Sequence, residues 1–104
     1  MSSFPIHDDG LLSDAEALEG NAQDLKAWIA ERIDRSISVA GLTQTQAAER
    51  MGLKQPDLSA VLHGKLNGYS VERLARCLAA LGDQVRFTVK GADGSENSFI
   101  VGGN

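Results

Sequence analysis

Apolar side chains recur every three or four positions along most of this sequence, a spacing that is typical of amphipathic helices. The strongest such segment covers residues 24–40. Its repeating apolar residues are Leu25, Trp28, Ile29, Ile33 and Ile37. Because Trp28 is the largest of them, we expect it to anchor the core, with a subunit contact as the alternative. Gly41 is the expected end of this helix.

The start of this helix is less sharply marked. Ser13 and Glu16 have the spacing of a capping box, in which each side chain accepts a hydrogen bond from the backbone of the other residue. Gly20 and Asn21 follow and weaken helical structure. The pattern leaves open whether the helix breaks there or runs through from residue 13 to residue 40.

Residues 43–64 have the pattern of two short helices joined by a tight turn. Thr43 is a good N-cap for the first helix, and Gly52 supplies its left-handed C-cap. Pro56 fits the first turn of the second helix, where a missing N–H is tolerated. The residues expected to pack the two helices together are Ala47, Ala48, Met51, Leu58, Val61 and Leu62. Small alanines opposite larger apolar residues let two helices approach closely, as a helix-turn-helix requires.

A final helix and a hairpin are predicted further along the chain. Ser70 is a suitable N-cap, and apolar residues recur from there to Leu81, just before Gly82. Cys77 lies on that apolar stripe and is expected to be a buried hydrophobe rather than a redox or metal residue. From residue 84 to residue 90 apolar and polar residues alternate, as in a strand with one apolar side. Residues 92–95 predict a turn, and residues 98–101 predict a return strand.

The predicted hairpin has two unpaired edges and little apolar cover, so it is not expected to be stable alone. Pairing with the same strand of a second copy would give the backbone groups of one edge their hydrogen-bond partners. We therefore expect a two-fold dimer with a small intersubunit sheet. The residues assigned to this contact are Val85, Phe87, Val89 and Phe99.

Several residues of the helix-turn-helix segment match a known pattern, namely Gln44, Ala48, Gly52, Leu58 and Val61. At these positions the chain resembles helix-turn-helix proteins of the phage-repressor (XRE) type. Residues 54–89 further resemble the small XRE proteins that carry an added β-strand, among them HigA-type antitoxins. The resemblance spans roughly residues 14–90.

The resemblance implies a mainly α fold, a lambda-repressor-like helix-turn-helix bundle of four to five helices with a C-terminal β-strand or hairpin forming an intersubunit sheet. It also favours one continuous helix over residues 13–40. The corresponding organisation is a flexible N-terminal arm at 1–12, a helical helix-turn-helix domain at 13–82, a dimerisation hairpin at 83–101 and a disordered tail at 102–104.

Composition narrows the class of protein. With 104 residues, of which 42% are hydrophobic, the sequence predicts one soluble domain. A single cysteine excludes an intrachain disulfide. No apolar run approaches the roughly 18 residues of a transmembrane helix, and the acidic N-terminus lacks the basic region of a signal peptide. We expect a cytoplasmic protein, nucleoid-associated when bound to DNA, with no membrane association.

The charge is unevenly distributed around a net value of −4. Residues 1–34 carry eight acidic and two basic side chains, a net charge of −6, whereas residues 35–90 carry eight basic and four acidic ones, a net charge of +4. The basic excess lies in the segment that contains the helix-turn-helix, and this asymmetry says more about DNA binding than the net charge of the whole chain does. Because the excess is modest, we expect weak non-specific binding and a steep dependence of specific binding on salt.

If the helix over residues 55–63 enters the major groove, its first turn and outer face meet base edges. The expected base contacts are Lys54, Gln55, Asp57, Ser59 and His63. Gln55 suits adenine, and Lys54 suits guanine or a phosphate. Many proteins of the resembling family carry a basic residue at the position of Asp57, so this acid either accepts from a cytosine amine or contacts protein. The expected backbone contacts are Thr43, Gln44, Gln46, Arg50 and Lys65.

The leading hypothesis is a homodimeric repressor that binds a palindromic operator in double-stranded DNA. The family resemblance extends it to the antitoxin of a type II toxin–antitoxin pair that autoregulates its operon, with a RelE/HigB-like toxin as partner. The alternatives are a stand-alone XRE-type regulator and a protein-interaction module that uses the same helices. Catalysis, cofactors and metals are not expected, because His7 and His63 lie far apart and no ligand cluster or phosphate-binding glycine loop is present.

Overall fold

The computed structural model describes residues 19–102 as four helices followed by a two-stranded hairpin. The elements are α1 (Ala22–Ala40), α2 (Gln44–Met51), α3 (Gln55–Leu62), α4 (Val71–Ala80), β1 (Gln84–Lys90) and β2 (Glu96–Gly102). This order confirms the predicted mainly helical fold with a C-terminal hairpin. The intersubunit sheet remains a prediction.

The first helix begins later than the resemblance implied. Asn21 is its N-cap: the Asn21 Oδ1 atom accepts a 2.9 Å hydrogen bond from the Asp24 N–H, and Asp24 Oδ2 accepts one of 3.1 Å from the Asn21 N–H. This capping box satisfies N–H groups that have no partner within the helix. A continuous helix through Gly20 and Asn21 is therefore wrong, since α1 starts at Ala22. The Ser13–Glu16 capping box and the arm at 1–12 lie outside the described residues.

One apolar core unites all four helices. Its buried members are Ile29, Ala30, Ile33, Ile37, Ala47, Ala48, Leu58, Val61, Leu66, Leu74, Cys77, Leu78 and Leu81. α1 and α4 form the most extensive helix–helix contact of the fold, and the isoleucines of α1 belong to the same buried cluster as Leu74 and Leu78 of α4. Met51 and Leu62, expected in the helix-turn-helix core, are only partly buried at its edge.

Trp28 does not anchor the core. Its side chain is 48% exposed, and Leu25 beside it is 39% exposed. Successive residues of a helix are rotated by about 100°, so Trp28 lies about 100° away from its neighbour Ile29 and well outside the line through Ile33 and Ile37. The helical periodicity predicted one broad apolar face for all these residues, but the rest of the described chain covers only the part of it formed by Ile29, Ile33 and Ile37.

The hairpin is antiparallel and packs on α4. Val85 pairs with Val101, and Phe87 pairs with Phe99, which places these four side chains on one face. β2 begins two residues before the predicted strand at 98–101 and ends one residue after it. Gly102 therefore belongs to the strand and not to a disordered tail.

Candidate nucleic-acid interface

The first helix of the helix-turn-helix is capped as predicted. Thr43 Oγ1 accepts a hydrogen bond of 3.1 Å from the Gln46 N–H, and Gln46 Oε1 accepts one of 2.9 Å from the Thr43 N–H. The first turn of α2 contains no acidic side chain. Its partial positive charge is therefore not neutralised locally, which favours a phosphate at this helix start.

The turn between the two helices depends on Gly52. This residue has φ +72°, in the left-handed region, and its N–H donates to the carbonyls of Ala48 and Glu49. Ala47 and Ala48 of α2 are buried, and α2 packs against α3. Small side chains on α2 allow two helices to approach closely.

α3 turns one side to the core and the other to solvent. Leu58 and Val61 are buried. The Lys54, Asp57 and His63 side chains are exposed, and Gln55 and Ser59 are half-buried. All five predicted base-contact residues thus lie on or beside a helix surface that the described chain leaves accessible.

Gln44 and Gln55 are joined by a hydrogen bond. Gln55 Nε2 donates to Gln44 Oε1 over 2.7 Å, in a half-buried position. One N–H and the carbonyl oxygen of the Gln55 amide are left over, which is the donor–acceptor pair that adenine requires. The sequence predicted Gln44 and Gln55 as separate DNA contacts and did not predict their hydrogen bond. The sequence feature that could have indicated this hydrogen bond is that each glutamine is the first residue of its helix.

His63 has a defined orientation at the end of α3. Its Nδ1 atom lies 2.7 Å from the Ser59 carbonyl oxygen. A carbonyl only accepts, so Nδ1 carries a hydrogen, and in the neutral form of the ring Nε2 is then an acceptor. Such an acceptor suits the exocyclic amine of cytosine or adenine.

Asp57 has a local structural role. It lies in the first turn of α3, whose N-cap, Lys54, forms no capping hydrogen bond with its side chain. A carboxylate near a helix N-terminus is favourable by about 0.3–1 kcal/mol at an exposed site. The acid therefore stabilises a helix start that lacks a cap, whether or not it also meets a base.

The predicted backbone contacts lie at the start of α2, in its last turn and in the loop after α3. Thr43, Gln46, Arg50 and Lys65 are exposed, and Gln44 is half-buried. Arg50 is in the last turn of α2, and Lys65 follows α3 in the loop. Thr45, which is not among the predicted contacts, has an exposed hydroxyl in the first turn of α2 between two of the predicted glutamines. A short polar side chain at a helix start is the sequence feature that marks it as a further candidate.

The model of a helix-turn-helix domain family matches residues 6–90. The chain belongs to this helix-turn-helix family. A solved structure assigned to the XRE family of transcriptional regulators is 42% identical to it, with a TM-score of 0.54. The match covers 58% of this chain and 67% of that one. Nothing among the curated proteins matches.

These similarities make the helix-turn-helix protein a DNA-binding transcriptional regulator of the XRE type. That family is a class of regulators and not of enzymes. Between residues 19 and 102, no group of His, Cys, Asp or Glu side chains is arranged to hold a metal ion. No helix in that range is long and apolar enough to cross a bilayer.

Cys77 is part of the core of this regulator. Burial raises the pKa of its thiol, and the nearby Arg73 guanidinium only partly opposes that effect. The protonated thiol is a poor nucleophile. Cys77 therefore acts as the small buried hydrophobe that the sequence predicted.

Proposed function

We propose that the helix-turn-helix protein is a dimeric repressor that recognises a palindromic operator with α3. The observation that supports this most directly is the Gln44–Gln55 hydrogen bond at the start of an accessible helix. It orients an amide outward before DNA arrives, which lowers the entropy lost on binding. The double-stranded operator would receive one α3 in each of two major-groove segments, with centres about 34 Å apart.

The base contacts follow from side-chain chemistry. Gln55 would bond adenine with its remaining N–H and carbonyl, and Lys54 would reach guanine or a phosphate. His63 and Asp57 both offer acceptors, which suit amines of cytosine or adenine. Ser59, half-buried on α3, would bond either kind of base pair only at close approach.

The phosphate contacts would come from the start of α2 and from both sides of α3. Thr43, Gln44 and Gln46 surround the N–H groups of the first turn of α2. Arg50 and Lys65 contribute the charged contacts. These five positions would fix the register of α3 on the duplex without specifying sequence.

Operator binding is tested by footprinting the upstream region of the protein's own gene. We expect protection of two half-sites that weakens steeply with salt. If the two charged contacts of each copy each neutralise one phosphate, the logarithmic slope is about −3.6, and affinity falls by about two orders of magnitude between 50 and 200 mM salt. Unchanged protection across that range, or no protection at any salt concentration, would contradict the proposal.

The dimer is inferred from the hairpin. Phe99 is 67% exposed and Val89 is 69% exposed on the face that also carries the half-buried Phe87. Val85 at the base of this face packs against the helical core and contributes less surface to a partner. A second copy would cover the apolar face and pair a free strand edge at the same time.

A second protein partner is supported by the exposed face of α1. Trp28 lines a shallow cavity there together with Glu31, Arg32 and Arg35. Tryptophan and arginine are the side chains that most often dominate the binding energy of protein interfaces. α1 carries equal numbers of acidic and basic side chains, whereas the chain before it is acidic and gives residues 1–34 a net charge of −6, which suits a basic protein. We infer that this partner is a RelE/HigB-like toxin, which makes the repressor an antitoxin.

The antitoxin role is tested by co-expressing the chain with the product of the neighbouring gene. We expect a complex that survives affinity purification, and a Trp28→Ala variant that loses at least 2 kcal/mol of binding free energy, about thirtyfold in affinity. Val39→Ala is the matched control, since Val39 is an exposed apolar residue of the same helix. Absence of any complex, or an equal effect of both substitutions, would contradict this role.

A further inference from the structure

Two side chains of α1 contact one carboxylate at the base of the hairpin. Asp83 lies in the short link between α4 and β1. The Ser36 hydroxyl, from the buried face of α1, donates a hydrogen bond to Asp83 Oδ2, and Arg32 Nε lies 3.3 Å from the same oxygen. Ser36 and Arg32 are one helical turn apart, so α1 holds the base of the hairpin at two points.

The return strand ends at the same place. Gly102 pairs with Gln84, the first residue of β1. A Cβ atom at Gly102 would lie 2.6 Å from the Ala79 Cβ atom and 2.8 Å from the Asp83 carbonyl oxygen. Only a glycine allows this approach, so the end of β2 lies directly against α4 and the Asp83 backbone. Both strands are thereby fixed at one end.

We propose that Asp83 is a positioning residue that sets the distance between the two copies of α3 in the dimer, and hence the operator spacing that the repressor accepts. The inference rests on the dimeric repressor proposed above. It concerns the rigid link between the DNA-binding helices and the dimerisation hairpin, and not the contacts that either of them makes.

The displacement that a small rotation of the hairpin would cause supports this role. A seven-residue strand extends about 20 Å from its fixed end. A rotation of about 10° at the base moves a point 20 Å away by about 3.5 Å, close to the 3.4 Å rise of one base pair. A hairpin that swivelled by this amount would not distinguish operators that differ by one base pair in spacing. The Asp83 contacts with α1 oppose that rotation.

The test uses the full chain and operator duplexes with identical half-sites, in which the spacing between half-sites is changed one base pair at a time. For the unchanged protein we expect operator affinity to be highest at one spacing and about tenfold or more lower at spacings one base pair away. For Asp83→Ala we expect a flattened profile, with a preference of about threefold or less. Ser36→Ala, a smaller change, should give an intermediate profile.

The matched control is Glu72→Ala, which breaks an ion pair with Arg76 that lies within α4 and does not reach the hairpin. This variant should keep the sharp optimum. All proteins are measured well below their thermal midpoints, so a general loss of stability does not alter the profile. If Asp83→Ala fails to fold, the spacing profile of Ser36→Ala decides whether the positioning role holds.

The outcomes separate the two proposals. Dimeric variants of Asp83 and Ser36 that retain the sharp optimum would overturn the positioning role alone. An unchanged protein that stays monomeric, or that binds no operator, would overturn the dimeric repressor and the positioning role with it. A flattened profile with unchanged dimer affinity supports both.

Discussion

Replacing Phe99 with alanine is expected to dissociate the dimer while leaving each subunit folded. In the subunit, Phe99 is 67% exposed and therefore adds little to its stability. In a two-fold dimer the substitution removes two aromatic side chains at once. At about 2 kcal/mol for each side chain withdrawn from water, the loss is about 4 kcal/mol, and the dimer dissociation constant should rise roughly a thousandfold. Sedimentation equilibrium measures it.

Ile100 provides the control for this prediction. It is the next residue of β2, it is 44% exposed, and it pairs with Arg86 on the opposite face of the hairpin. Ile100→Ala should leave the dissociation constant within a few-fold of its original value. If Ile100→Ala weakens the dimer and Phe99→Ala does not, the other face of the hairpin forms the interface. If neither has an effect, the dimer does not use the hairpin.

Replacing Gln55 with alanine is expected to give the largest loss of operator affinity among the base contacts. A good bidentate contact contributes about 1–3 kcal/mol of discrimination, which corresponds to roughly five- to 150-fold in affinity for each half-site. The substitution should also relax specificity at one position of each half-site. Binding to the footprinted operator and to its single-base variants, measured at fixed salt, tests both effects.

Gln44→Ala tests how far the base contact of Gln55 depends on its hydrogen bond with Gln44. Gln44 holds the Gln55 amide by the 2.7 Å hydrogen bond, so the two single variants and the double variant form a thermodynamic cycle. We expect a double loss smaller than the sum of the single losses, because the residues act as one unit. Gln23→Ala, an exposed glutamine of α1, is the control. If operator binding is unaffected by Gln55→Ala, a module that binds protein instead of DNA becomes the better account.

The helix-turn-helix was predictable because its signals are local. Thr43 forms a capping box within three residues, Gly52 adopts the left-handed conformation that ends α2, and Ala47 and Ala48 are small enough for α3 to approach. Each of these effects depends on neighbours within one or two turns. The alternating strand and its return were recognisable for the same reason, since side-chain period and turn residues are written into short segments.

Other features required the fold itself. The sequence placed Trp28 in the core because a helical stripe shows which residues share a side, but not how wide a face the other helices cover. It missed the Gln44–Gln55 and Ser36–Asp83 hydrogen bonds, whose partners are brought together only by packing. The sequence by itself determined the type and order of the elements and the chemistry on the surface of α3. Only the tertiary structure decided which apolar faces remain open and how the hairpin is fixed to the body, because both depend on contacts between residues distant in the chain.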